Sequence, residues 1–166
     1  MAAGPKGCTG EARLAPYSHR LNSYGESMVS HRVQRVYQEA LLLARQFGIV
    51  DYDDEDGRWV HIPAFPLPEG WDRRTTGLLL VLPDGYPHIP PDGFYIDRFL
   101  RTRSGRRVSH YFEERSGYNP YVDKGWGWFC IHLDHRAWRP TGDVTSGDNL
   151  LKLAALIRAI LTEVAR

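Results

Sequence analysis

The chain has 166 residues, 42% of them apolar and 12% aromatic, which is enough for one domain around a single core. A formal charge of +1 excludes partnership with nucleic acid or a membrane surface through bulk charge, and the longest apolar run, residues 78–82, is too short to span a bilayer. Two cysteines, Cys8 and Cys130, do not make a disulfide framework, no secretory signal precedes them, and a soluble cytoplasmic protein is expected.

Residues 1–27 carry four glycines and two prolines among small polar residues and are expected to form a flexible lead-in to one domain over 28–166. The first element is a helix. Val29, Val33, Val36, Tyr37, Ala40, Leu41, Ala44 and Phe47 recur at three- and four-residue spacing. Ser23 with Glu26 offers a capping box, and Gly48 a C-terminal stop. Strands at 49–52 and 58–65 flank the acidic turn 53–57 as a hairpin. The run 75–82 is apolar on both faces, as a central strand requires, and 93–99 reads as the next strand after a Pro-rich turn. Residues 100–127 lack periodicity. They begin with Arg101, Arg103, Arg106 and Arg107 around Ser104 and Gly105, which reads as a solvated loop. A second helix runs from about Asn149 to Val164, with Asp148 expected as N-cap. Helix, strands, long loop and helix in that order make an α+β fold with an antiparallel sheet backed by helices.

The chemistry is concentrated in residues 126–140. Phe129, Ile131 and Leu133 alternate with Cys130, His132 and Asp134. Neighbouring side chains of an extended backbone point to opposite faces, so the three apolar residues take the core side and the other three share the outward side. A cysteine exposed beside an imidazole and a carboxylate is a candidate nucleophile, because the thiolate is the reactive form. The competing reading is a core cysteine, since free cysteine is among the most buried residue types.

Three motifs stand in order here. They are Tyr86-Pro87-His88-Ile89-Pro90-Pro91, Phe129-Cys130-Ile131-His132-Leu133-Asp134 and Trp138-Arg139-Pro140, with a helix after them. Over roughly residues 28–164 this order resembles the ubiquitin-conjugating enzymes, most closely the bacterial branch. The resemblance implies a UBC-like fold with an N-terminal helix, a four-stranded antiparallel meander, an active-site loop and a C-terminal helix. It implies that Cys130 accepts the C-terminal acyl group of a ubiquitin-like protein from an adenylating, thioester-donating activating enzyme and passes it to a lysine amine of a protein target. It also implies a JAB-type peptidase in the same pathway and a setting in antiphage defence. No cofactor and no metal are implied. Tyr86, Pro87, Pro90 and Pro91 read as structural, because proline fixes φ and ends the strand, and Trp138 with Pro140 is expected to pack the cysteine loop onto the last helix.

Two features depart from the family pattern. The His-Pro-Asn tripeptide that supports the oxyanion is missing, and the nearest candidate is Asn119, in Tyr118-Asn119-Pro120, eleven residues before Cys130. Asn119 is a candidate oxyanion donor if the loop folds back, and a turn residue otherwise. His132 is a candidate proton acceptor, Asp134 a candidate for orienting or deprotonating the amine, and His110 a weaker candidate. The stretch 98–127 also reads as an insertion beside the active site. Three other functions stay open at this level. One is a non-catalytic UBC-like module that binds a ubiquitin-like protein. Another is a zinc site from Cys130, His132 and His135 with His110. The third is a cysteine hydrolase pairing Cys130 with a histidine.

Overall fold

The computed structural model describes residues 30–117 and 119–166. The expected lead-in 1–27, Cys8 and the Ser23/Glu26 capping box lie outside the described residues. Helix α1 (His31–Phe47) opens on Ser30, whose hydroxyl accepts the Val33 amide at 3.1 Å, and closes on Gly48 at φ 85°. Its buried stripe is Val33, Val36, Ala40 and Leu43, the spacing of one helical face.

Among the described residues six strands follow: β1 (Asp51–Tyr52), β2 (Trp59–Pro66), β3 (Thr75–Val81), β4 (Gly93–Asp97), β5 (Tyr111–Phe112) and β6 (Trp126–Cys130). They form one antiparallel sheet in the order β1-β2-β3-β4-β6-β5. The sheet therefore carries six strands where four were expected. The additional pair comes from the middle of the supposedly irregular stretch 100–127 and from the cysteine segment, whose backbone groups pair with β4 and with each other.

Val60, Ile62, Phe65, Leu78, Leu80, Phe94, Ile96 and Phe129 project from one sheet face into the core. Ile62 and Phe65 are three residues apart and both wholly buried, which strict alternation forbids. The ladder shifts register between them, where Pro63 has no amide to donate. Helix α2 (Leu150–Ala165) covers the same core with Leu150, Leu153, Ala154, Ile157 and Leu161. Trp71, after β2, donates its indole N–H to the Leu161 carbonyl at 3.0 Å and fastens the helix in place. The N-cap of α2 is Asn149, whose side chain accepts the Lys152 amide at 2.9 Å, and not Asp148. Helical dihedrals begin one residue later than the sequence suggested, so the cap moves with them. Asp148 instead accepts the Arg139 amide at 2.6 Å. No described helix is long and apolar enough to cross a membrane.

The opposite sheet face carries aromatic rings, with Tyr95 against Tyr121 at 5.2 Å and His61 edge-on to Trp126 at 5.5 Å. Partial burial between these rings lowers the His61 pKa below its ordinary 6.5, outweighing the pull of the Asp51 carboxylate 3.4 Å away. A histidine whose folded pKa is depressed binds a proton more readily when unfolded. Stability should therefore fall as pH drops below about 6.5, through the folded pKa. Urea melts at stepped pH should show this loss in the wild type, with a shallower loss in His61→Gln. Equal slopes for the two would contradict it.

Candidate active site

Cys130 is the last residue of β6, and the strand sets its direction. Phe129 and Ile131 on either side are 2% and 6% exposed, whereas Cys130 is half-buried and His132 and Asp134 are exposed. The alternation expected from the sequence is thus the one found. Across the ladder Cys130 faces Gly93, so no side chain stands opposite the sulfur on that strand. Gly93 has a packing reason of its own, since a Cβ there would lie 2.6 Å from the Trp128 indole nitrogen and 2.5 Å from the Phe129 carbonyl oxygen.

The sheet ends at this point because its last amides are taken by loops. Cys130 N–H donates to the His110 carbonyl at 2.9 Å, and Ile131 N–H to the Asp92 carbonyl at 3.2 Å. His110 holds that carbonyl in place from a left-handed backbone, φ 60°. The chain then turns at Asp134. Its carboxylate accepts the Arg136 amide at 2.9 Å, and its carbonyl accepts the amides of Ala137 at 2.9 Å and Trp138 at 3.2 Å. Trp138 closes the loop by donating its indole N–H to the Pro87 carbonyl at 2.7 Å. The Trp-x-Pro segment is therefore tied to the Tyr-Pro turn, whose Tyr86-Pro87 peptide is cis.

Of the four candidate catalytic residues, two come together. His132 Nε2 lies 3.7 Å from Cys130 Sγ, within reach of a sulfur hydrogen bond. Asp134 follows in the turn, its carboxylate engaged by a backbone amide. Asn119 lies elsewhere. It is wholly buried, and its amide nitrogen donates to the carbonyls of Phe112 at 3.1 Å and Trp126 at 2.9 Å. Trp126 and Cys130 are the two ends of β6, about 13 Å apart at the rise of a strand. Asn119 therefore joins β5 to the start of β6, at the end remote from the sulfur.

His135 pairs with Asp92, Nε2 to Oδ1 3.4 Å, and His110 meets Cys130 through its carbonyl. Among the described residues no group of three or more His, Cys, Asp or Glu is placed to hold a metal ion, so the zinc reading has no assembled site. Asp92 and the His110 carbonyl were not legible as neighbours of the cysteine. Their only sequence signal is that Asp92 directly follows Pro90-Pro91.

Chemically, a half-buried thiol beside an imidazole, on an outward face with a glycine across from it, suits nucleophilic acyl transfer. The imidazole can take the thiol proton. A family model described as prokaryotic E2 family E matches residues 38–163 of the chain. No curated protein and no solved structure matches it.

Proposed function

Because the chain belongs to the prokaryotic E2 family, a bacterial ubiquitin-conjugating-like family, we propose that it carries a ubiquitin-like protein as a thioester on Cys130 and transfers it to a lysine amine. The observation that carries this reading is the outward, half-buried Cys130 with His132 Nε2 3.7 Å from its sulfur. Loading exchanges one thioester for another. Cys130 sulfur attacks the carbonyl held by the activating enzyme, whose own thiolate leaves. In transfer the target amine attacks the Cys130 thioester, the tetrahedral oxyanion collapses, and Cys130 leaves as thiolate. His132 accepts the proton in the first step and relieves the amine of its proton in the second. The thioester is already activated, so positioning supplies most of the remaining acceleration.

In this reading Asp134 and Asn119 are positioning residues. Asp134 shapes the loop that carries His132, and Asn119 fixes the β5–β6 pair that holds the cysteine strand. The partners are a ubiquitin-like protein, its activating enzyme and a protein target, with a JAB-type peptidase in the same pathway to reverse the linkage. The setting we propose is cytoplasmic antiphage defence.

The test uses the activating enzyme and ubiquitin-like protein encoded in the same genome. With ATP they should convert the wild type to a heavier species that thiol reductant removes, and Cys130→Ala should form none. Binding of the ubiquitin-like protein without any adduct would overturn the enzyme reading in favour of a non-catalytic binder.

A further inference from the structure

Residues 98–107 contain five arginines, Arg98, Arg101, Arg103, Arg106 and Arg107, and no carboxylate. Of the five, Arg101 forms an ion pair, a two-pronged one with Glu113 at 2.7 and 2.8 Å. Among the described residues the other four have no carboxylate partner. Arg103, Arg106 and Arg107 are exposed.

Phe99 stands inside this basic segment. It has φ 65°, a conformation that a bulky side chain adopts only at a cost, and yet the residue is 57% exposed. Burial does not compensate the strain. What maintains it is a polar frame, in which Glu113 Oε1 accepts the Phe99 amide at 2.8 Å while the same carboxylate holds Arg101. The neighbours are fixed as well. Leu100 is wholly buried, and Thr102 bridges to Trp71. Residues 103–107 are the exposed loop that their composition suggests, and the preceding residues 98–102 are held more tightly. Residues 98–102 form an anchored mount that turns Leu100 inward and Phe99 outward, with the Arg98 guanidinium 4.5 Å above the ring centre. Beside it, sharing Arg101 and Glu113, lies a cleft of about 340 Å3 whose lining also includes Arg107, Val108, Tyr111, Glu114 and Arg115.

We propose that this face is a docking site for an acidic protein segment bearing an apolar side chain. The apolar group packs on Phe99 and the adjoining cleft, and the carboxylates meet Arg98, Arg103 and Arg107. A preformed anchor of this kind lowers the ordering cost of binding, and an aromatic ring beside an arginine is a common composition of an interface centre. Phe99 lies past the Asp97 end of β4, and Cys130 lies at the Gly93 end, so the anchor and the cysteine are separated by four residues of strand, about 13 Å, while the Tyr111 side of the cleft reaches the strand position beside Cys130. The proposal goes beyond the thioester reading and does not depend on it.

The test is a selection from a randomised 12-residue display library on the full chain, followed by affinity measurement of the winning peptides. Winners should be rich in Asp and Glu with interspersed apolar residues. They should bind Cys130→Ala as they bind the wild type. They should weaken about tenfold or more on Phe99→Gly and on the triple change Arg98→Ser, Arg103→Ser, Arg107→Ser. Phe99→Gly relieves the strained backbone, so its melting temperature should be unchanged or raised while binding is lost. The proposal is overturned by any of four results. These are enrichment of basic peptides or of none, winners indifferent to Phe99→Gly, a 12-nucleotide oligouridylate that binds more tightly than any peptide, or a Phe99→Gly protein with a lowered melting temperature, which would make Phe99 structural.

Discussion

Replacing Glu39 with alanine is expected to lower the melting temperature by roughly 6–20 °C, the largest stability loss of any single substitution considered. Glu39 is wholly buried. One carboxylate oxygen accepts the Tyr86 hydroxyl at 2.5 Å and the Leu150 amide at 2.6 Å, and the other accepts the Arg35 guanidinium. Leu150 opens α2, so Glu39 satisfies one of its free amides from α1 and places a negative charge at the helix's positive end. Burial, with the Glu39 charge behind it, pushes the Tyr86 hydroxyl far above its ordinary pKa, so the phenol stays a donor. Alanine would strand a buried guanidinium, a phenol and a helix-terminal amide together. Removing one partner of such a network costs about 3–5 kcal/mol. Because Arg35 also donates to the Thr141 carbonyl, the loss would spread to the loop between Trp138 and α2. Thermal melts of Glu39→Ala and Glu39→Gln check this. Glutamine keeps one acceptor oxygen and should fall between wild type and alanine. A loss below about 2 °C for alanine would show that the network contributes little.

The second large effect concerns transfer. His132→Ala should slow discharge of a preformed Cys130 thioester to free lysine by roughly 100-fold, the usual scale of a positioned proton acceptor. His132 is exposed and follows the strand, so the folded state should be unaffected. Single-turnover discharge, with loading completed first, isolates this step. His132→Gln retains a hydrogen-bonding side chain but cannot take a proton at neutral pH. If glutamine restores the rate, His132 acts by orientation. If both variants discharge at the wild-type rate, the proton goes elsewhere and His132 is a bystander on the outward face.

The parts of this architecture that rest on short periodicities were legible in advance. The stripe Val33, Val36, Ala40, Leu43 marks α1, and the Phe129/Ile131 alternation places Cys130 outward, because each needs only neighbours in sequence. β5 was missed because two residues, Tyr111 and Phe112, are too few to show a period. The end of β4 was placed too late because nothing in the sequence requires a left-handed Phe99. Glu39 was hidden for a different reason. A carboxylate on an amphipathic helix with an arginine four residues before it reads as a solvated ion pair, and its other two partners, Tyr86 and Leu150, lie in distant segments. Asn119 shows the limit of analogy by residue type. The chain has an asparagine before its cysteine, but the amide is spent on the carbonyls of Phe112 and Trp126.

The most direct measurement of the central claim is the intact mass, and the peptide-level site, of the adduct formed with ATP, activating enzyme and ubiquitin-like protein. The account predicts a single added ubiquitin-like protein, less one water, attached at Cys130, released by thiol reductant from the wild type. Cys130→Ser should hold it as a reductant-resistant, base-labile ester, and Cys8→Ser should load as the wild type does. An adduct that persists in Cys130→Ala, or that maps to Cys8 or to a lysine before any Cys130 species appears, would contradict it.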